Sequence, residues 1–203
     1  MLTTRYKSVL NRGLEPLAAP LARAGVSPSA ITLAGPLLTS LACLWLIRTR
    51  AVLPFCLTMA AIMVLDGLDG AVARASGRVT RFGAYLDAVC DRYVEVMGVL
   101  AVAHVTGYWA LSLAVLSGAL LVSYAKARAA MEVAVSNLEW PDLMERTERS
   151  LLFMAGLAAG AAVPWRPLGH DLFWWTLVLL ALLTHLTVLQ RALRARRYIR
   201  ERV

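Results

Sequence analysis

From Ala30 to Ile47 the chain runs 18 residues without a charged side chain. A helix rises 1.5 Å per residue, so this run alone nearly crosses a hydrocarbon core of about 30 Å. Further runs of this kind recur along the 203 residues, of which 59% are hydrophobic, and the mean hydropathy is +0.63. A soluble domain is far more polar, so the chain reads as an integral membrane protein.

Punctuation between the runs divides them into six spans. Ser27 and Pro28 suit an N-cap and a first helical residue, and Arg48 and Arg50 close span one. Span two runs from about Val52 to the vicinity of Arg74, and span three from about Arg81 to Thr106, where Thr106 to Tyr108 make a turn. Span four ends at Lys126 and Arg128; spans five and six cover about Leu143 to Val163 and Leu172 to Arg194. Ahead of them, Tyr6, Leu10, Leu14, Leu17 and Leu21 recur at steps of three or four, the pattern of an amphipathic segment lying on the membrane surface. Pro16 and Pro20 are expected to break or kink it. The expected fold is all-α: one membrane domain over 1–203, with an interfacial segment at 1–25 and a six-helix transmembrane bundle at 28–200.

The formal net charge is +8. The basic residues flank apolar runs and form no single patch with interleaved aromatics, which excludes a nucleic-acid reading. With six spans, 17 of the 21 Lys and Arg fall on the side of the two termini, and the positive-inside rule makes that side cytoplasmic. The basic residues interrupting the first 25 positions exclude a cleavable signal peptide. Cys43, Cys56 and Cys90 lie in apolar runs without C-x-x-C spacing, which indicates neither a disulfide framework nor a zinc site, and Cys90 reads as packing; His104, His170 and His185 are scattered and read as interface or packing residues. Gly156 and Gly160 permit close helix approach, most simply within the chain; Trp165, Trp174 and Trp175 suit an interfacial belt on the far side.

Against this background the stretch Asp66 to Asp91 stands out. Asp66 and Asp69 are spaced i,i+3 and Asp87 and Asp91 i,i+4, so each pair shares one helix face. Gly70, Ala73 and Gly83 keep those faces free of bulk, and Ser76 to Arg81 turns the chain so that the faces meet. Four acids inside a membrane protein are costly, each about 2.5–3.5 kcal/mol by insertion scales. All-oxygen donors suit a hard divalent ion, Mg²⁺ or Mn²⁺, and with Arg74 nearby the ligand expected is a phosphate.

Asp66, Asp69, Gly70, Ala73, Arg74, Gly83, Asp87 and Asp91 spell D-x-x-D-G-x-x-A-R-x8-G-x3-D-x3-D without a gap. This resembles the signature of the CDP-alcohol phosphotransferases, membrane enzymes of phospholipid synthesis, and eight fixed positions coincide by chance only about once in 10⁹–10¹⁰ starting points. The resemblance implies two ions per active site, one held by Asp66, Asp69 and Asp87 and the second by Asp66, Asp87 and Asp91. It implies a cytidine nucleotide against Gly70 and Arg74, with Ala73, Thr80 and Gly83 beside it and Ser29, Ala30, Ile31 and Thr32 contributing from the start of span one. Asp91 becomes the base that takes the acceptor's hydroxyl proton. A homodimer is also implied, and the charge distribution places the protein in the cell membrane with its active site facing the cytoplasm.

The acceptor is read from the later spans. Lys126, Arg128, Arg146, Arg149, Arg191 and Arg194 all fall at span ends on the cytoplasmic side, where they suit an anionic head group. The segments from Ser123 to Met131 and from Met144 to Phe153 are similar to those of phosphatidylinositol phosphate synthases and their archaeal ether-lipid counterparts, which implies a CDP-activated lipid donor and inositol 1-phosphate as acceptor. Phosphatidylglycerophosphate synthesis from glycerol 3-phosphate is the alternative. A cation transporter or channel is the rival of a different class, and it would spread acids over several depths instead of gathering them at one end. A catalytically silent scaffold fits poorly with four acids and both motif glycines present.

Overall fold

The computed structural model describes residues 2–132 and 143–202. Seven α-helices and one short 3-10 turn account for nearly all of them, and no strand occurs among the described residues: α1 Leu2–Arg23, α2 Pro28–Thr49, α3 Val52–Ala75, α4 Arg81–Thr106, α5 Trp109–Glu132, α6 Arg146–Ala162 and α7 Leu172–Arg202. The expected span boundaries agree with α2 to α6 to within about four residues, and α7 starts where expected but runs eight residues past Arg194. Four of the helices, α2, α3, α5 and α7, are long and apolar enough to cross a membrane. α4 has the length but carries Asp87, Asp91, Arg92 and Glu95, and α6 has only 17 residues.

The chain folds as two compact units, Met1–Gly107 and Tyr108–Val203. In the first, α2 packs on α3 and α4, and α1 packs on α3. Leu14 and Ala18 of α1 are buried against Leu68, Ala71 and Val72, with Leu21, Ala22 and Ile31 around them. Two expectations change here. α1 is continuous through Pro16 and Pro20, so of the expected break or kink no break occurs; each proline removes one intrahelical bond and crowds the carbonyl four residues back, and burial against α3 offsets that cost. Its packed stripe is Leu14, Ala18 and Leu21, whereas Leu17 is exposed.

α2 buries Thr32, Thr39, Ala42, Cys43 and Leu46 and exposes Leu33, Leu37, Leu41 and Leu44. Water would make such a leucine stripe unfavourable, whereas lipid does not, so the distribution is that of a membrane helix. Ser27 occupies the N-cap position and Pro28 the first turn, but the serine side chain makes no capping bond.

The second unit has the same polarity. α7 buries Phe173, Leu177, Leu180, Thr184 and Thr187 and exposes Leu179, Leu182, Leu186, Leu189 and Leu193. Thr184 and Thr187 donate to their own helix at Leu180 O and Leu183 O, 2.8 and 2.7 Å. Glycines then admit α7 closely. A Cβ on Gly118 of α5 would come within 2.3 Å of Thr184, and one on Gly156 of α6 within 2.3 Å of Thr176. A Cβ on Gly160 would lie 2.7 Å from Phe173, so the G-x-x-x-G serves packing within the chain. At the end of this unit that holds the 3-10 turn Pro167–Gly169, the Tyr108 hydroxyl donates to Asp171 at 2.8 Å, Asp171 accepts from Trp174 N–H at 2.8 Å, and His170 stacks on Trp174.

Candidate active site

The site is built where α3 ends and α4 begins. Ser76 caps α3, Gly77 takes φ +65°, and Arg78 N–H returns to Ala73 O at 2.9 Å, a glycine-terminated helix end. Thr80 then starts α4, its Oγ1 accepting from Gly83 N–H at 2.9 Å. The two helices are thus reversed in five residues, and their acidic faces meet.

Asp66, Asp87 and Asp91 each place one carboxylate oxygen so that all three lie within 4.8 Å of one another, and all three are half-buried. Asp69 is turned elsewhere. It is 8% exposed, takes the Thr32 hydroxyl at 2.5 Å, and accepts from Gly70 N–H of its own helix. The Thr32 hydroxyl also lies 3.1 Å from Pro28 O, but a carboxylate is the stronger acceptor, so α2 is tied to α3 through Asp69. Three of the four expected acids therefore converge, and the fourth is engaged by a residue that the sequence assigned to the nucleotide. Nothing in the spacing of Thr32 signals that pairing, because it joins positions 37 apart.

Gly70 has a further use. A Cβ there would lie 3.3 Å from Arg74 Nη1, so the guanidinium folds back across the glycine, one turn earlier on α3. Ala73 is half-buried. Gly83 lies under Thr80 Oγ1, 3.1 Å from where its Cβ would stand. On α4 the acidic stripe continues: Arg92 Nη2 is 3.7 Å from Asp91 Oδ2, and Arg92 Nη1 is 3.2 Å from Glu95 Oε2.

A groove of about 300 Å³ adjoins these acids. Its walls include Leu21 of α1, Ala30, Ile31, Ala34, Gly35 and Leu38 of α2, and Ile62, Leu65 and Asp66 of α3. Asp66 is the charged residue of an otherwise apolar lining. Ser29 is half-buried in the first turn of α2.

Carboxylate oxygens from two helices, within a few ångströms of one another and short of full burial, are the donor set a hard divalent cation takes. The residues fit such an ion. The CDP-alcohol phosphatidyltransferase family model matches residues 25–187, which include every one of these side chains except Leu21. The chain belongs to that family.

Relatives in the family agree with one another. A phosphatidylinositol phosphate synthase of Mycobacteroides abscessus is 36% identical over 187 residues, covering 87% of this chain and 80% of that protein. An archaetidylinositol phosphate synthase of Pyrococcus horikoshii is 29% identical over 199 residues, covering 97% of each. The crystal structure of Mycobacterium tuberculosis phosphatidylinositol phosphate synthase with CDP-DAG bound superimposes with a TM-score of 0.78 at 28% identity, covering 91% of this chain and 94% of that one. A second crystal structure of that enzyme is in complex with manganese and citrate, with a TM-score of 0.79 at 27% identity, covering 90% and 88%.

The six basic residues expected at the acceptor all lie in the second unit, and they divide by environment. Arg149 and Arg191 are 3% and 5% exposed. Arg149 donates to Met144 O at 3.2 Å and Arg191 to Val122 O. Arg128 is exposed and paired with Glu132 at 2.5 Å. Lys126, Arg146 and Arg194 are half-buried. The start of α6 is further fixed by Glu145 N–H donating to Glu148 at 3.1 Å and Leu143 N–H donating to Gln190 at 3.3 Å. The family match ends before Arg191 and Arg194.

Proposed function

We propose that this CDP-alcohol phosphatidyltransferase moves a phosphatidyl-type group from a CDP-activated lipid to the hydroxyl of inositol 1-phosphate and releases CMP. The carrying observation is the convergence of Asp66, Asp87 and Asp91 beside an apolar groove. A lipid donor needs both, a hydrocarbon seat and a polar centre for its pyrophosphate, and Asp66 belongs to each. Relatives of two lipid chemistries, ester and ether, bear inositol phosphate names, which favours that acceptor over glycerol 3-phosphate.

In this reading Asp66, Asp87 and Asp91 hold divalent ions, Mg²⁺ or Mn²⁺, with Asp69 completing a set for two. Bound there, the ions offset the charge of the pyrophosphate and of the departing CMP. Arg74 and the start of α2, Ser29 to Thr32, hold the nucleotide, Ala73, Thr80 and Gly83 edge its place, and Gly70 keeps the helix face low enough for Arg74 to fold over it. Asp91 receives the proton of the attacking hydroxyl. The acceptor phosphate is served by Lys126, Arg128, Arg146, Arg149, Arg191 and Arg194, with half-buried Lys126, Arg146 and Arg194 in direct contact and buried Arg149 and Arg191 acting through the segments they fix.

The membrane setting follows from the same reading. α4 and α6 complete six spans with α2, α3, α5 and α7, since an intramembrane acid cluster explains the charges that lower α4's hydropathy. α1 lies in the membrane interface as an amphipathic helix, the acids open to the cytoplasm, and the whole chain is one membrane domain that pairs as a homodimer. Crosslinking in intact membranes reports the pairing, and cysteine labelling at position 78 from either side reports the orientation.

The deciding experiment supplies purified protein with CDP-diacylglycerol and Mg²⁺ and follows CMP release with inositol 1-phosphate, glycerol 3-phosphate, inositol or serine. Turnover is expected with inositol 1-phosphate. Preference for glycerol 3-phosphate would move the chain to phosphatidylglycerophosphate synthesis, and CMP release with none of the four would overturn the proposal.

A further inference from the structure

Asp87, Asp91 and Glu95 occupy successive turns of α4, so each carboxylate lies about 6 Å further along the helix than the one before. The first two belong to the acidic cluster with Asp66. Glu95 does not, and the transfer reaction as read above gives it no task, although its side chain is only 11% exposed. Between it and the cluster lies Arg92, a cation at every accessible pH.

The two contacts of that guanidinium are unequal. Nη1 is 3.2 Å from Glu95 Oε2, whereas Nη2 is 3.7 Å from Asp91 Oδ2. Neither reaches the roughly 2.7–2.9 Å of a charge-assisted bond, and Glu95 Oε2 makes no hydrogen bond of good geometry, so these two contacts are ion pairs, with the guanidinium closer to Glu95 than to Asp91. Full engagement with Asp91 would set a permanent cation in competition with a divalent ion for the same oxygens. A spare carboxylate one turn deeper resolves the competition by holding the arginine back.

We infer that Glu95 is a positioning residue that retains the Arg92 guanidinium and thereby keeps Asp91 available to a divalent cation. The inference rests on the metal-site reading of Asp66, Asp87 and Asp91. It also accounts for a charged pair within a helix read as a membrane span, where each charge alone would be costly. Arg92 without Glu95 becomes an inhibitor of the site, and Glu95 without Arg92 becomes an extra acid beside it.

The test measures Mn²⁺ binding to the purified full chain in detergent, by the electron paramagnetic resonance of free Mn²⁺, so that no turnover is needed. Glu95→Gln is expected to weaken Mn²⁺ binding by about 10–100-fold, the range typical when a group that orients a metal ligand is lost. Arg92→Gln should bind at least as tightly as the unmodified chain, and Arg92→Gln combined with Glu95→Gln should restore affinity to near that level. An ordinary helix-surface ion pair predicts no change in any of the three. Unaltered affinity in Glu95→Gln, or a double variant as weak as Glu95→Gln, would overturn the inference while leaving the metal site in place. Absence of Mn²⁺ binding by the unmodified chain would overturn both. Should Glu95→Gln not fold, Glu95→Ala is measured in its place against the double variant Arg92→Gln, Glu95→Ala, with the same expected loss and recovery and the same overturning results.

Discussion

Both units of the molecule hold charged side chains in apolar surroundings, and they use them differently. In Met1–Gly107 three carboxylates converge while still half-buried, with like charges brought within 4.8 Å. In Tyr108–Val203 two arginines are sealed at 3% and 5% exposure and spend donors on the main-chain carbonyls of Met144 and Val122. Like charges gathered at an accessible place repel one another, and a bound cation relieves that repulsion. Buried arginines bonded to carbonyls fix one segment against another. In the reading proposed above, the first arrangement serves chemistry and the second serves architecture.

Asp87→Asn and Arg149→Met should therefore fail in opposite ways. Asp87→Asn is expected to lose at least about 100-fold in CMP release, the upper end of what even indirect damage to a metal ligand costs, while its thermal unfolding stays normal or shifts upward as repulsion is relieved. Arg149→Met should lower stability by about 1–3 kcal/mol, the penalty for leaving the buried Met144 carbonyl without a charged donor, and turnover of the folded fraction should persist. Melting curves and single-turnover CMP release on both variants check this. A folded Arg149→Met whose defect is confined to acceptor half-saturation would transfer that arginine to the acceptor site and dissolve the contrast.

Within the first unit, Thr32→Val sharpens the comparison by asking whether Asp69 is structural or chemical. Loss of a hydrogen bond to a buried carboxylate is expected to cost about 1.5–3 kcal/mol. If Asp69 serves only to tie α3 to α2, metal-dependent turnover of the folded variant should be unchanged. If it also holds an ion, its release should alter Mg²⁺ half-saturation, which a titration of CMP release reads directly.

The smallest effect expected is at Tyr108. Burial raises its pKa above the ordinary tyrosine value, the hydrogen bond from its hydroxyl to Asp171 and that carboxylate's charge raise it further, and Arg166 opposes them. With the folded value above the unfolded one, the contribution is complete below the ordinary tyrosine range and is lost as pH rises through the folded value. The melting temperature should thus decline at alkaline pH, and Tyr108→Phe should flatten the decline. An identical decline in that variant would place the titration elsewhere.

How much of this was legible depended on the distance over which residues are fixed relative to one another. Asp66, Asp87 and Asp91 sit within 26 residues, on two helices joined by a short turn, so helical periodicity alone brings their faces together. Span ends were equally plain, because Ser27-Pro28, Arg50 and Gly107 act locally. The partner of Asp69 was not legible, since Thr32 reaches it across 37 positions through the packing of α2 on α3. Arg149 and Arg191 looked like Lys126 and Arg128 in the sequence, each a cation at a span end. Only helix rotation, set by glycine contacts such as Gly118 with Thr184 and Gly156 with Thr176, separates buried donors from accessible ones. α1 misled for a related reason: proline propensity is a local term, and burial of Leu14 and Ala18 on α3 outweighs it.

The most direct test of the central claim, that these aspartates form a divalent-ion site for transfer from a CDP-lipid, is CMP release by chelator-treated protein before and after Mg²⁺ is returned. With CDP-diacylglycerol and inositol 1-phosphate present, no release is expected without the ion and saturable recovery on its addition, with Asp66→Asn, Asp87→Asn and Asp91→Asn failing to recover. Equal release with and without the ion, or full recovery in those three variants, would contradict it.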